Sequence, residues 1–323
     1  MRRLIMVCTL LAASLPVFGQ STEPEIRGRD FDHTTTDPTV LARALCAPFR
    51  AERDKALAIY SWLAHHITYD LALAQTNRSE RIMYRTLEEL ARERERRRRA
   101  RLQSTLRTRR GVCEHYAGLF AAMSKAVGLH AGEITGYVIR HPHEMGRAPL
   151  RSNHAWNWVE WDGEKHLLDV TYAAGAMDAA KQEFRQQYDP YWFDVQPTVL
   201  VQTHFPDSST HQLLEHPLSA EAFSAQPFFF LSSAQYPILD WSPRRGFLRK
   251  QEAEKLSLVF LRKPKTILVG RDGLLHEVPL TWQGNRVEVA VPEFLRREKG
   301  ILQIGLIDDE DRVRSWVAWQ IVR

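Results

Sequence analysis

Hydrophobic positions change their spacing twice along the chain. In AERDKALAIYSWLAHHITYD, Ala56, Tyr60, Leu63, Ala64 and Ile67 recur at helical intervals, and Ile59 and Trp62 widen the stripe. The spacing predicts a helix there, one from Arg81 to about Arg99, and one that opens near Cys113 and carries Leu119, Phe120, Met123 and Val127. Gly128 is the natural stop for the last of these. Beyond it the period drops to two. GEITGYVIR, HAWNWVEWDG and KHLLDVTYA read as strands, with Asp162-Gly163 as a hairpin turn. After an aromatic and proline-rich stretch, LSLVFL, KTILVG, RVEVAVP, ILQIGLID and SWVAWQIV are short alternating runs separated by turn residues. The expected architecture is therefore α+β: helices, then an antiparallel sheet, then a β-sandwich over residues 226–323.

The ends and the charge refine this picture. Residues 1–20 combine Arg2 and Arg3 with an apolar run from Leu4 to Phe18 and a small-residue cleavage site near Gly19, the layout of a secretory signal peptide. That run is short for a membrane span, and no other segment is long and apolar enough, so no transmembrane segment is expected and the product should be periplasmic or extracellular. Residues 21–39 read as a loose polar lead-in, and 40–225 as the first folded domain. With 323 residues and 44% hydrophobic side chains, the chain can bury two cores. Its net charge of +5 stems largely from the run RERERRRRARLQSTLRTRR, from Arg92 to Arg110. The run reads as the solvated end of a helix followed by a loop, and its place just before Cys113 suits a lid over that residue. No aromatic side chains interleave with it, so nucleic acid is not expected as a partner. The sequence carries no signal for oligomeric state.

Two cysteines remain once residues 1–20 are set aside. Exported chains often join such a pair, but Cys46 lies on an apolar helical face in LARALCAPF and shares nothing with the flanks of Cys113. Cys113 follows Gly111 at a helix start, where the dipole and unpaired backbone N–H groups stabilise a thiolate. A nucleophile of this kind needs a proton acceptor and donor near neutral pH, and His154 in SNHAWNWVEWDG fits. A third group should orient the imidazole. With Asp162-Gly163 as the turn centre, positions summing to about 325 face one another, which sets Asp169 nearly opposite His154. Trp156 shares the face of His154 by period two, and Asn153 adjoins it. Trp158, Trp161, Tyr116 and Trp62 read as packing, and His65 and His66 as helix-end residues. His141, His143, His204, His211 and His216 lack metal-ligand spacing, so no metal and no cofactor is expected.

GVCEHYAGLFAAMSKAVGL, NHAWNWVEWDG and LLDVTYAAG together resemble the transglutaminase-like (papain-like thiol) superfamily, whose signature is a cysteine at a helix start followed by His and Asp on adjacent strands. DKALAIYSWLAHHITYD is similar to the helix that precedes the cysteine in these proteins, and YWFDVQPTVLVQTHFPDSSTHQLL resembles a segment of the kyphoscoliosis-peptidase branch. The resemblance spans roughly residues 40–225. It implies Cys113 as nucleophile, His154 as general base and acid, Asp169 as orienting carboxylate, and a protein or peptide amide as substrate. Water as acceptor makes this a peptidase or amidase reaction, and a lysine amine makes it a cross-link. The alternative implied by the same resemblance is a silent scaffold that binds polypeptides or cell-envelope polymers. Relatives usually carry glycine two residues after the cysteine, where this chain has His115, which bears on the shape of the substrate pocket.

Overall fold

The apolar stripe of AERDKALAIYSWLAHH does form a helix, Glu52–His66, and nine consecutive residues of it, Ala56 to Ala64, are buried. A computed structural model describes residues 21–76, 82–149, 151–178, 182–231, 236–271, 273–309 and 311–322. The signal-type segment 1–20 lies outside the described residues. Burial on all sides is what a helix hydrophobic around its circumference requires. Glu52–His66 is covered by the helices Pro38–Cys46 and Cys113–Ala126 and by the short helix Glu23–Asp30. This last helix falls within the segment that the sequence suggested was a loose lead-in. It docks because Gly28 has no side chain: a Cβ there would lie 2.6 Å from the Ser61 Cβ. Arg27 reaches across to the carbonyls of Ala44 and Leu45 and fixes it.

The arginine run also departs from expectation. Instead of breaking near residue 99, the helix runs from Leu87 to Thr108 and leads, through Arg109 in a left-handed conformation (φ 55°), into a two-residue strand Arg110–Gly111 paired with Thr68–Tyr69. The arginines are held along it by acids one turn away, Arg92 on Glu88, Arg96 and Arg97 on Glu93, and Arg99 on Glu95. Arg98 bridges to Glu133 and Arg101 to Glu114. The segment before Cys113 is thus an ordered helix packed by Leu102 and Leu106 into the core, and not a loop lid.

A four-stranded antiparallel sheet backs the cysteine helix, in the order Glu164–Leu168, His154–Trp161, Ala131–Val138, His204–Pro206. The hairpin turn is Asp162-Gly163, both at positive φ (53° and 78°), and it pairs Trp158 with Leu167, the register its position dictates. The chain differs from expectation just past Leu168. DVTYA turns into a short helix, Val170–Ala174, with Asp169 as its N-cap. Sheet and helices share one core around Trp62, Phe120, Met123, Trp156 and Trp161.

From residue 226 on, the chain is sheet-rich. One sheet runs Ile238–Ser242, Lys255–Phe260, Arg286–Ala290, Leu280–Gln283, and another contains Phe247–Arg249, Val313–Val322, Gly300–Ile307, Thr266–Arg271 and Leu274–Glu277. Both contribute to a second apolar core around Phe229, Phe260, Trp316 and Trp319. A small cluster of Ile139, Met145, Phe223, Phe228 and Ala318 joins the two regions.

Candidate active site

The cysteine helix starts at Cys113, directly after Val112 in extended conformation. Its entry is tight: a Cβ on Gly111 would meet the His115 Cβ at 2.7 Å. The first N–H groups of any helix have no intrahelical acceptor and point along the positive end of its dipole. Cys113, partly exposed, sits at this open end. Cys46 is buried at the end of the helix Pro38–Cys46, and both thiols are free. Burial pushes the Cys46 thiol up to about 12, outweighing the nearby cations Lys55 and Arg27, so it is inert at neutral pH.

His154 opens its strand and is paired with Gly136 on the neighbouring strand. Its Nε2 lies 2.6 Å from Asp169 Oδ2. Asp169 reaches this position as a helix cap: its Oδ1 accepts the Tyr172 N–H at 2.9 Å, which aims Oδ2 back at the imidazole. The carboxylate is fully buried. Burial alone would raise the Asp169 value, but the charge and hydrogen bond of His154 and the hydrogen bond of His204 outweigh it, holding the carboxyl well below the usual range. Burial would likewise depress His154; the Asp169 charge and hydrogen bond, with a further contribution from Cys113, outweigh it and raise the imidazole to about 9. With Nε2 on Asp169, Nδ1 is the ring nitrogen left for the Cys113 sulfur. The arrangement holds a protonated imidazole beside Cys113.

Aromatic side chains close the space around this pair. The His154 ring stacks at 6.0 Å on Trp156 and lies 4.9 Å from Tyr172, which in turn packs 5.1 Å from Trp192. Water exclusion of this kind strengthens the interaction between the charges inside. Trp156 is buried, and its indole Nε1 has no hydrogen-bond partner among the described residues. Its ring crosses the sheet because the neighbouring position is Gly136, where a Cβ would lie 2.5 Å from Trp156 Cη2 and 2.3 Å from the Phe205 carbonyl oxygen.

The remaining residues singled out from the sequence play other parts. Asn153 is a latch: its Oδ1 accepts the Val138 N–H at 2.8 Å and its Nδ2 donates to the Val138 carbonyl at 3.0 Å. Its own carbonyl receives Arg140 Nη2 at 2.9 Å. His115 turns back on the helix start, its Nδ1 accepting the Val112 N–H at 3.3 Å. Burial and the Arg101 charge outweigh Asp70 and lower it to about 4, so it is a neutral cap rather than a second base. His65 and His66 bond the Ser61 and Trp62 carbonyls at their helix end.

One residue escaped the sequence reading. His204, set aside for lack of ligand spacing, lies with its Nε2 3.1 Å from the same Asp169 Oδ2. The strand His204–Pro206 returns to the sheet edge beside Ala131–Val138, and no local pattern in the sequence reveals that return. His154, Asp169 and His204 form a buried group whose chemistry resembles a metal donor set. The 2.6 Å hydrogen bond between His154 and Asp169 fills the position an ion would need between them.

Comparison with known proteins gives this geometry a context. Residues 40–166 match the profile of the transglutaminase-like superfamily. The mouse protein named kyphoscoliosis peptidase is 25% identical over 242 residues, 75% of this chain and 34% of the relative. Its human counterpart is 31% identical over 171 residues, 53% of this chain and 23% of the relative. The chain thus spans about a third of the length of the mouse relative and under a quarter of the human one. A solved structure of a TGase aligns at 18% identity and a TM-score of 0.28, over 54% of this chain and 37% of that one.

Proposed function

Since the chain belongs to the transglutaminase-like superfamily, on the branch that holds kyphoscoliosis peptidase, we propose that it is a thiol acyl-transfer enzyme acting on protein or peptide amides. The observation that carries this reading is the 2.6 Å contact of His154 with the buried Asp169, in a chain whose cysteine helix begins at Cys113. In the first step the Cys113 sulfur attacks the amide carbonyl and forms a C–S bond while the carbonyl oxygen takes up negative charge. The Cys113 backbone N–H, at the open helix end, donates to that oxygen. His154 then gives its proton to the departing nitrogen, the C–N bond breaks, and ammonia or an amine leaves a thioester on Cys113. A second nucleophile gives its proton to the neutral His154 as it attacks the thioester. Water yields the acid, a peptidase or amidase outcome, and a lysine amine yields an isopeptide cross-link. Asp169 stays ionised throughout and orients the ring.

We also read residues 1–20 as an export signal that places the enzyme outside the cytoplasm, residues 40–225 as the catalytic domain and 226–323 as a β-sandwich. Separate apolar cores on either side of residue 226 support that division. The test is acyl-enzyme trapping: incubation with glutamine-containing and ordinary peptides, followed by intact-mass measurement. A thioester adduct on wild type that is absent from Cys113→Ala is the expected result. No adduct and no ammonia release across such a panel favours the scaffold instead.

A further inference from the structure

The carboxylate that orients His154 has a second imidazole on it. His204 is buried to 1% exposure, and its Nε2 is 3.1 Å from Asp169 Oδ2, the oxygen that already receives His154. On the far side of the ring, Nδ1 lies 2.7 Å from the Thr203 hydroxyl. Trp156 meets the ring edge-on at 5.1 Å, Tyr172 edge-on at 5.7 Å, and Trp192 lies at 5.7 Å, so the imidazole is clamped on several sides. Burial lowers His204, outweighing the attraction of Asp169, which makes the ring neutral at physiological pH. A neutral imidazole carries one N–H. Asp169 Oδ2 is an acceptor, so that proton belongs on Nε2, and Nδ1 accepts from the Thr203 hydroxyl, which lies nearer to it at 2.7 Å than to its other acceptor, the Leu200 carbonyl, at 3.3 Å.

We propose that His204 is a positioning residue: its Nε2–H, fixed in that tautomer by Thr203, holds Asp169 ionised and aimed at His154. The inference rests on the acyl-transfer reading above. The physical argument is one of satisfaction. A buried carboxylate keeps its charge when its oxygens receive several donors, and Asp169 receives three: the Tyr172 N–H on Oδ1, and His154 and His204 on Oδ2. Removing one leaves the anion partly unsatisfied in a dry site, which makes it the stronger base and tightens its grip on the His154 proton. The groups that face this pair from the surrounding elements are Cys113 from the cysteine helix, Tyr172 from the short helix after Asp169, and Tyr60 from Glu52–His66, with Tyr69 and Arg140 further out. Besides His154, His204 is the described residue whose side chain meets the orienting oxygen itself.

The experiment follows the pH dependence of Cys113 alkylation by iodoacetamide in wild type, His204→Leu, His204→Gln and Thr203→Val. Imidazole tautomers are read in parallel from long-range proton–nitrogen spectra of the folded proteins. In wild type the upper inflection falls near pH 9, where His154 gives up its proton. His204→Leu, which fills the space without a donor, should move that inflection up by about one pH unit. His204→Gln, with an N–H at similar reach, should stay close to wild type. Thr203→Val should shift in the direction of His204→Leu by a smaller amount. Spectra of wild type should show His204 as the neutral Nε2–H tautomer. Where His204→Leu does not fold, Thr203→Val carries the test. A wild-type-like inflection in the folded leucine variant, or in the valine variant if the leucine one is unfolded, overturns the proposal. So does a Nδ1–H tautomer. If wild type itself lacks the upper inflection while the spectra show the Nε2–H tautomer, the acyl-transfer reading fails and His204 is reduced to packing.

Discussion

The core around Trp62 and Phe120 encloses His154, Asn157, Asp169 and His204, while the core between the sheets after residue 226 is almost purely apolar. Among the described residues of that later region, Gln303 and Asp308 are the buried polar side chains, and Asp308 is met at the surface by Arg312 and Arg314. The difference is one of purpose. Trp316, Trp319, Leu256 and Phe260 gain stability simply by leaving water. The first region accepts desolvated charges, which cost free energy unless each is paired and hydrogen-bonded. It meets that condition at Asp169 with three donors. A fold that tolerates this in one core and avoids it in the other has concentrated its chemistry.

The comparison can be broken by changes that affect one core and not the other. The largest effect is expected at the site: Cys113→Ala should lower turnover by at least about 10³-fold, and Asp169→Asn by about 10³–10⁴-fold, with the fold retained in the cysteine variant by circular dichroism. Trp319→Ala, in the apolar core, should cost about 3–5 kcal/mol in urea unfolding yet leave the pH profile of Cys113 alkylation unchanged where the protein is folded. A changed profile would mean the two cores are coupled more tightly than their separation implies.

The ion pair should also make stability pH-dependent. His154 is raised above its ordinary value, so its contribution is complete below about pH 6.5 and lost as pH rises through about 9, on the order of 3 kcal/mol in all. Asp169 is depressed, so its contribution is present above the ordinary carboxylate range and lost as pH falls below it. Urea midpoints from pH 4 to 10 should therefore fall on the alkaline side in wild type and much less in Asp169→Asn. Gly136→Ala is expected to cost about 1–3 kcal/mol, because its methyl meets the Phe205 carbonyl and Trp156, and to slow alkylation of Cys113 by disturbing the wall behind His154. The smallest effect belongs to the arginine helix. Glu93→Gln removes a half-buried partner of the surface residues Arg96 and Arg97 and should leave both the unfolding midpoint and activity within experimental scatter.

What was legible in the sequence follows the range of the forces involved. The hairpin that carries His154 is local: Asp162-Gly163 sets its register, and the residues opposite could be counted off from the turn. The helix Glu52–His66 announced itself through its apolar stripe. Asp169 was found, though its role as a helix cap was not, because five residues of helix leave too faint a period to separate from strand. The arginine helix was cut short because a run of like charges hid the Glu partners at one-turn spacing that stabilise it. His204 was missed altogether. Its partner lies 35 residues away, and the strand that brings it back pairs with a strand from much earlier in the chain. Such a return is decided by tertiary packing.

In the proposed mechanism His154 stands as an imidazolium over Cys113. Its most direct test is the rate of Cys113 alkylation against pH in wild type and His154→Ala. Wild type should react rapidly well below pH 7, and His154→Ala should lose that acid limb and follow an ordinary thiol near pH 8.5. Superimposable profiles for the two proteins, both rising near 8.5, would contradict it.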